Sequence, residues 1–77
     1  MDDEIVYRNE ILEYQDQNGI SCILELYFTN FGVKAFARFK DEIDDTTGYG
    51  VDIKDKYKAI DDAISNLFYQ YKMYKFN

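Results

Sequence analysis

Apolar and polar residues alternate through the first half of the chain, and the rhythm changes near its middle. Residues 20–29, ISCILELYFT, are dense in β-branched and aromatic side chains and read as a strand. Residues 33–40, VKAFARFK, alternate small or apolar with charged side chains and read as the next one. With TNFG as the loop between them, Phe28 stands opposite Val33, Leu26 opposite Ala35, Leu24 opposite Ala37 and Cys22 opposite Phe39. All eight residues then share one face. A slip of one position would turn half of them to the other side, so the pattern pins the register. The two alanines at the centre of that face leave room for a helix to lie close.

Upstream, Asn18-Gly19 is a turn signal. A three-residue turn with Gly19 left-handed sets Leu12 against Leu24 and Tyr14 against Cys22, whereas a two-residue turn sets Leu12 against Glu25. Residues 4–17 therefore read as an edge strand, irregular near its start because Arg8 and Glu10 fall on the apolar face. A competing reading makes 4–17 a helix, with Tyr7, Ile11 and Tyr14 at helical spacing and Gly19 as the stop. From Ile53 onward, Ile53, Tyr57, Ile60, Ile64, Leu67, Tyr71 and Tyr74 recur at steps of four and three, the signature of one helix face. Asp52 is placed to cap its first turn, and Asp55 lies near its positive end. The expected architecture is α+β (βββα): a three-stranded antiparallel meander packed against one long C-terminal helix, with residues 1–77 as a single domain. The helix stripe is expected to cover Leu24, Leu26, Ala35 and Ala37.

Composition agrees with a small folded domain. The 77 residues are 47% hydrophobic and contain no proline, which is far from a disordered composition. The net charge of −6 disfavours nucleic acid and anionic membranes as partners, since such affinity comes from Lys and Arg neutralising phosphates. Cys22 is the sole cysteine, which rules out an internal disulfide, and it reads as a buried, inert thiol. The basic and apolar pattern of a signal peptide is missing, as is any apolar run near the ~20 residues of a membrane span, so the expected placement is cytoplasmic.

Candidate chemistry is sparse. There is no histidine, and Ser21 and Ser65, the only serines, stand beside no recognisable base. Zinc needs several Cys or His ligands. Neither an enzyme, a cofactor nor a metal site is expected. The stretch DEIDDTTGYGVD, residues 41–52, is rich in hard oxygen ligands, but an EF-hand loop starting at Asp41 would place Ile43 third and Thr46 sixth. Gly48-Tyr49-Gly50 lacks the Lys-Ser/Thr ending of a phosphate loop. The glycines read instead as a turn with Tyr49 at its tip.

What remains is surface. Residues 1–16 and 41–62 each carry a balance of −5, flanking a slightly basic hairpin. Asp41, Glu42, Asp44, Asp45, Tyr49, Asp52 and Asp55 are the candidate contacts for a protein partner with a basic surface. The alternative is that this acidity only keeps the domain solvated. A second candidate surface comprises Ile23, Tyr27 and Phe36, with Ile11, on the sheet face away from the helix. A separate candidate is Tyr69, Met73 and Phe76, which point off the main helix stripe and either wrap the sheet edge or offer an aromatic anchor. Both groups suit a homodimer contact or half-exposed packing.

Two resemblances bear on function. With 4–17 helical, the element order resembles a double-stranded RNA-binding domain, in which a Gly-x-Gly precedes a Lys-rich helix start. Gly48-Tyr49-Gly50 precedes Lys54, Lys56 and Lys58 here, with Asp52, Asp55, Asp61 and Asp62 interrupting the cluster. Through size, acidity, tyrosine-rich composition and its strand-meander-plus-helix plan, the whole chain also resembles the small acidic proteins that phages and mobile elements carry against host defences, anti-CRISPR proteins among them. That resemblance implies inhibition by occupancy, carboxylates filling the basic channel in which a CRISPR effector would hold nucleic acid. The expected function is thus a non-enzymatic acidic binding protein that touches neither nucleic acid nor membrane directly. The alternatives are a small homodimerising interaction or assembly module and an antitoxin-like regulator.

Overall fold

A helix can approach a sheet only as closely as the side chains between them allow, and here those side chains are reduced to hydrogen or methyl at matching positions. The computed structural model describes residues 3–40 and 46–75, with side chains as far as Tyr71. Four strands, β1 (Val6–Gln15), β2 (Ser21–Thr29), β3 (Gly32–Phe39) and β4 (Gly48–Asp52), form an antiparallel sheet in sequence order, and α1 (Lys56–Lys75) follows. The class is α+β as expected, with four strands rather than three.

The hairpin registers follow the hydrophobic pattern. Phe28, Leu26, Leu24 and Cys22 face Val33, Ala35, Ala37 and Phe39, and Leu12 and Tyr14 face Leu24 and Cys22. Gly19 has φ +83°, the left-handed conformation that a three-residue turn needs. The Asp16 side chain accepts the N–H groups of Asn18 and Ile20 at 2.9 and 2.8 Å, closing the same turn. Within residues 4–17 the chain thus forms a strand, Val6–Gln15, and no helix, which removes the basis for the RNA-binding-domain element order. The expected irregularity is a register shift between Val6 and Arg8. Arg8 bonds the Glu10 carboxylate and lies 5.2 Å over the Phe28 ring, while Lys56 Nζ lies 3.7 Å from Glu10 Oε1. These charges sit at the rim of the core where β1 passes beyond the helix.

The Gly-Tyr-Gly segment corrects the turn assigned to it. Gly48 and Gly50 belong to β4, opposite Ala37 and Ala35. A Cβ on Gly48 would fall inside 3.0 Å of the Ala63 carbonyl oxygen and the Leu67 amide nitrogen. One on Gly50 would do the same to the Ala59 oxygen and the Ala63 nitrogen. Two glycines, Ala35 and Ala37 therefore form a floor on which α1 rests through Ala59 and Ala63, all four alanines fully buried. Cys22, Leu24, Leu26, Val33, Ile60 and Leu67 complete the core, flanked by Phe28, Phe39, Ile64 and Phe68. Full burial of each large side chain contributes ~1.5–3 kcal/mol. No helix among the described residues is long and apolar enough to cross a membrane.

The helix begins later than the apolar rhythm predicts. Ile53 and Tyr57 are 80% and 68% exposed and do not join the core. The Asp52 carboxylate accepts the N–H of Asp55 at 2.8 Å and of Lys54 at 3.1 Å, bending the chain out of β4. Asp55, not Asp52, is the cap: its Oδ1 accepts the N–H of Tyr57 at 2.9 Å and of Lys58 at 3.4 Å. α1 packs closest over β4 and β3, where the side-chain-free floor is, and Leu24, Leu26, Ala35 and Ala37 share one buried core with its Ile60 and Leu67, as expected.

Gly48→Ala and Gly50→Ala are each expected to cost about 3 kcal/mol or more, because the added methyl meets helix backbone that cannot rotate away. Gly19→Ala, with open space but a positive φ, should cost only ~1–2 kcal/mol. Chemical denaturation followed by circular dichroism separates the two magnitudes. A second expectation concerns acid. The backbone N–H groups of Asp55 and Lys54 hold the Asp52 carboxyl below its ordinary value of 3.8. Its contribution is present above that value and is lost as pH falls through the lowered folded one. Asp52→Asn should therefore flatten the acid limb of the stability-versus-pH curve.

Candidate interaction surface

Strand alternation sends the odd-numbered residues of β2, β3's even-numbered ones and the odd-numbered ones of β4 to the face opposite the helix. Tyr27, Phe36 and Tyr49 meet there as a continuous row across three strands. The Tyr27 and Phe36 rings are 5.7 Å apart and near perpendicular at 80°, and Phe36 and Tyr49 are 5.1 Å apart and tilted by 49°. Such contacts fix ring orientation and add ~0.5–1.5 kcal/mol each beyond the area they bury. Among the described residues the row is partly open: Tyr27 and Phe36 are half-buried, and Tyr49 is 44% exposed at its end. Val51 extends the apolar strip along β4, and Ile23 is half-buried further along β2.

Charge frames the row on both sides. The Tyr27 hydroxyl donates to Glu25 Oε2 at 2.8 Å, and this bond to a carboxylate raises the phenol's pKa. Lys34 Nζ bonds Glu4, at 2.6 Å from Oε2, which keeps the ammonium charged to higher pH than usual. Lys40 Nζ lies 3.1 Å from Glu13 Oε2. Arg38 is exposed and makes no ion pair among the described residues. An open depression of about 410 Å³ lies between Glu25, Tyr27, Phe36, Ala37, Arg38 and Thr47. An aromatic wall, a carboxylate on one side and a guanidinium on the other give it the makings of a side-chain socket.

The candidate residues separate into groups. Tyr27 and Phe36 form the row, with Ile23 on the same face. Tyr49 joins them, rather than an acidic loop. Asp52 and Asp55 accept backbone N–H groups at the β4–α1 junction, where their carboxylates shape the turn into the helix. Asp41, Glu42, Asp44 and Asp45 lie outside the described residues, as do Phe76 and the side chain of Met73. Tyr69 is exposed on α1, on the opposite layer from the row. Glu25 and Val51 are site residues that the sequence reading misses, whereas Arg38 falls on this face by parity. The regular small–large alternation of Gly48-Tyr49-Gly50-Val51 is the signal that would have placed Tyr49 and Val51 on this face.

Two further features bear on chemistry. Burial pushes the Cys22 thiol's pKa up, consistent with an inert core residue. Among the described residues no group of His, Cys, Asp or Glu could hold a metal ion. Comparison with protein-family models, curated proteins and solved structures found no match to this chain.

Replacing Glu25 by Gln removes the charged acceptor of the Tyr27 hydroxyl. The Tyr27 phenol should then titrate at a lower pH than in the unaltered protein, closer to the ordinary tyrosine value of 10.0. Ring-proton chemical shifts followed against pH report this residue apart from the other tyrosines.

Proposed function

We propose that this protein is a non-enzymatic binding module that takes a basic protein partner on the open face of its sheet. The observation that carries the reading is the row Tyr27–Phe36–Tyr49, held in fixed orientation and partly exposed among the described residues beside the depression between Glu25 and Arg38. Rigid aromatic side chains supply contact area at small entropic cost and dominate binding hot spots. The net charge of −6 selects the partner, because long-range attraction steers an acidic protein towards a basic surface. A nucleic-acid-binding protein presents such a surface. Occupying it would block the nucleic acid, the mode of action implied by the resemblance to acidic anti-defence proteins, with a CRISPR effector as one such target.

Aromatic rows on sheets also stack the bases of single strands. That use needs cations tracking the phosphates, and here Lys34 and Lys40 are each engaged by a carboxylate. The charge balance favours a protein over a polynucleotide.

The test is capture from host lysate by the immobilised protein beside Tyr49→Ala and Glu25→Gln variants, with oligonucleotide as competitor. A basic partner should be retained by the unaltered chain and lost at least about tenfold by the variants, equivalent to ~1.4 kcal/mol. Oligonucleotide should displace the captured protein. Retention of the same proteins by all three chains contradicts the reading, as does direct binding of single-stranded oligonucleotide.

A further inference from the structure

The two edges of the sheet are treated differently. On β4, the Tyr49 N–H points outward and donates to Asn66 Oδ1 at 3.1 Å, and the Thr47 carbonyl accepts Gln70 Nε2 at 2.8 Å. Two helix side chains thus occupy two of the backbone groups that another strand would use. On β1 no helix side chain reaches the edge backbone among the described residues, and α1 does not pack on the strand. Yet β1 is the longest strand, at 10 residues, and it is exposed although apolar at Val6, Tyr7, Ile11, Leu12 and Tyr14, with Ile5 just ahead of it. It contains neither lysine nor proline, the residues that usually blunt an edge.

The direction of its free backbone groups follows from the bonds already present. Asp16 N–H donates to the Ile20 carbonyl, and Lys40 N–H to that of Ser21. Hydrogen-bonding direction alternates along a strand, so the even-numbered residues of β1 from Arg8 onward turn their groups to β2. Asn9, Ile11, Glu13 and Gln15 turn theirs outward. Ahead of the register shift, Asn30 N–H donates to the Ile5 carbonyl, so Ile5 points inward and Val6 outward.

We propose that β1 pairs antiparallel with β1 of a second copy of this chain, about a two-fold axis through Asn9, making one continuous eight-stranded sheet. A two-fold axis perpendicular to the sheet keeps both helices on the same side and allows only registers that match even with even residues. Centring on Arg8 would oppose two arginines and centring on Glu10 two glutamates, and like charges directly opposite are destabilising. Centring on Asn9 sets Arg8 opposite the partner's Glu10, and Glu10 opposite the partner's Arg8. Tyr7 is taken up by the bulge. Val6 then meets the partner's Ile11 on the open face, and Ile5 meets the partner's Leu12 on the helix face. The outward groups of Asn9, Ile11 and Val6 all find partners. Glu4 comes opposite the partner's Glu13, and Lys34 and Lys40 already neutralise these two.

Shape and size agree. Tyr7 and Ile11 are 69% and 64% exposed, and the six apolar side chains together present several hundred Å² per copy. A specific interface uses roughly 800 Å² per partner. The pairing joins the two aromatic faces into a single surface carrying the row twice. It stands independently of the function proposed above.

Sedimentation equilibrium and amide exchange test it together. The protein should sediment at twice its 9.2 kDa chain mass in the micromolar range. The Asn9 and Ile11 amides should gain protection as concentration rises, while the Leu12 amide, bonded to β2, stays protected throughout. Ile11→Pro removes an N–H that the single chain does not use, and an edge strand tolerates it. It should raise the dimer dissociation constant at least about tenfold. Arg8→Glu should do the same by opposing like charges, and it covers the case in which the proline variant does not fold. A chain that stays monomeric at high concentration, or dimers that persist unchanged in both variants with the Asn9 and Ile11 amides exchanging freely, would overturn the pairing.

Discussion

The contact between α1 and the β4 backbone is the constraint from which the rest of the architecture follows. Gly48 and Gly50 lie directly beneath the helix turns at Ala59, Ala63 and Leu67, with no space for even a methyl group. Ala35 and Ala37 continue this floor on the neighbouring strand. Because the closest approach is over β3 and β4, the larger residues Ile60, Ile64, Leu67 and Phe68 fill the space towards Leu24 and Leu26. A chain of this length buries only about 60% of the surface it exposes when unfolded, so a close, side-chain-poor seam is an efficient use of a short helix. It also has a consequence for function. Among the described residues, a single helix seated to one side covers one face of the sheet incompletely and no element packs on the other.

Polar groups divide the surface that results. Asn66 and Gln70 take up the backbone groups at the β4 edge. Arg8, Glu10 and Lys56 ring the core where it thins towards β1. Such exposed ion pairs contribute little stability individually, since solvent screens them and ordering long side chains has an entropic cost. Their value is in orientation: they hold charge at the rim, apart from the aromatic row and the exposed apolar side chains of β1.

The chain shows its two hairpins plainly and its β4–α1 unit poorly, for a physical reason. Alternation at period two, with one face buried, fixes the partners of Leu24, Leu26 and Phe28 uniquely, and Gly19 adds a turn that only one loop length satisfies. Gly48-Tyr49-Gly50 has the local preferences of a turn. Its identity as a strand depends on the helix that later fills the space where side chains are missing. The helix start is obscured by the same kind of fact: Ile53 and Tyr57 continue the apolar rhythm, yet the residues in closest contact are alanines, which carry little weight in such a pattern. Site residues follow suit. Tyr27 and Phe36 are legible from parity, whereas Tyr49 joins them only once β4 is known. The backbone N–H groups that Asp52 and Asp55 accept come into view only with the β4–α1 junction.

Nuclear Overhauser contacts around β4 test the arrangement most directly, because one set of spectra reports on both faces of the strand. The account predicts strong contacts from the Gly48 and Gly50 α-protons to Ala59, Ala63 and Leu67. Contacts from the Tyr49 ring should run to Phe36 and not to any residue of α1. Tyr49 ring contacts to the helix, or glycine α-protons with no helix neighbour, would contradict both the seating of the helix and the open face that depends on it.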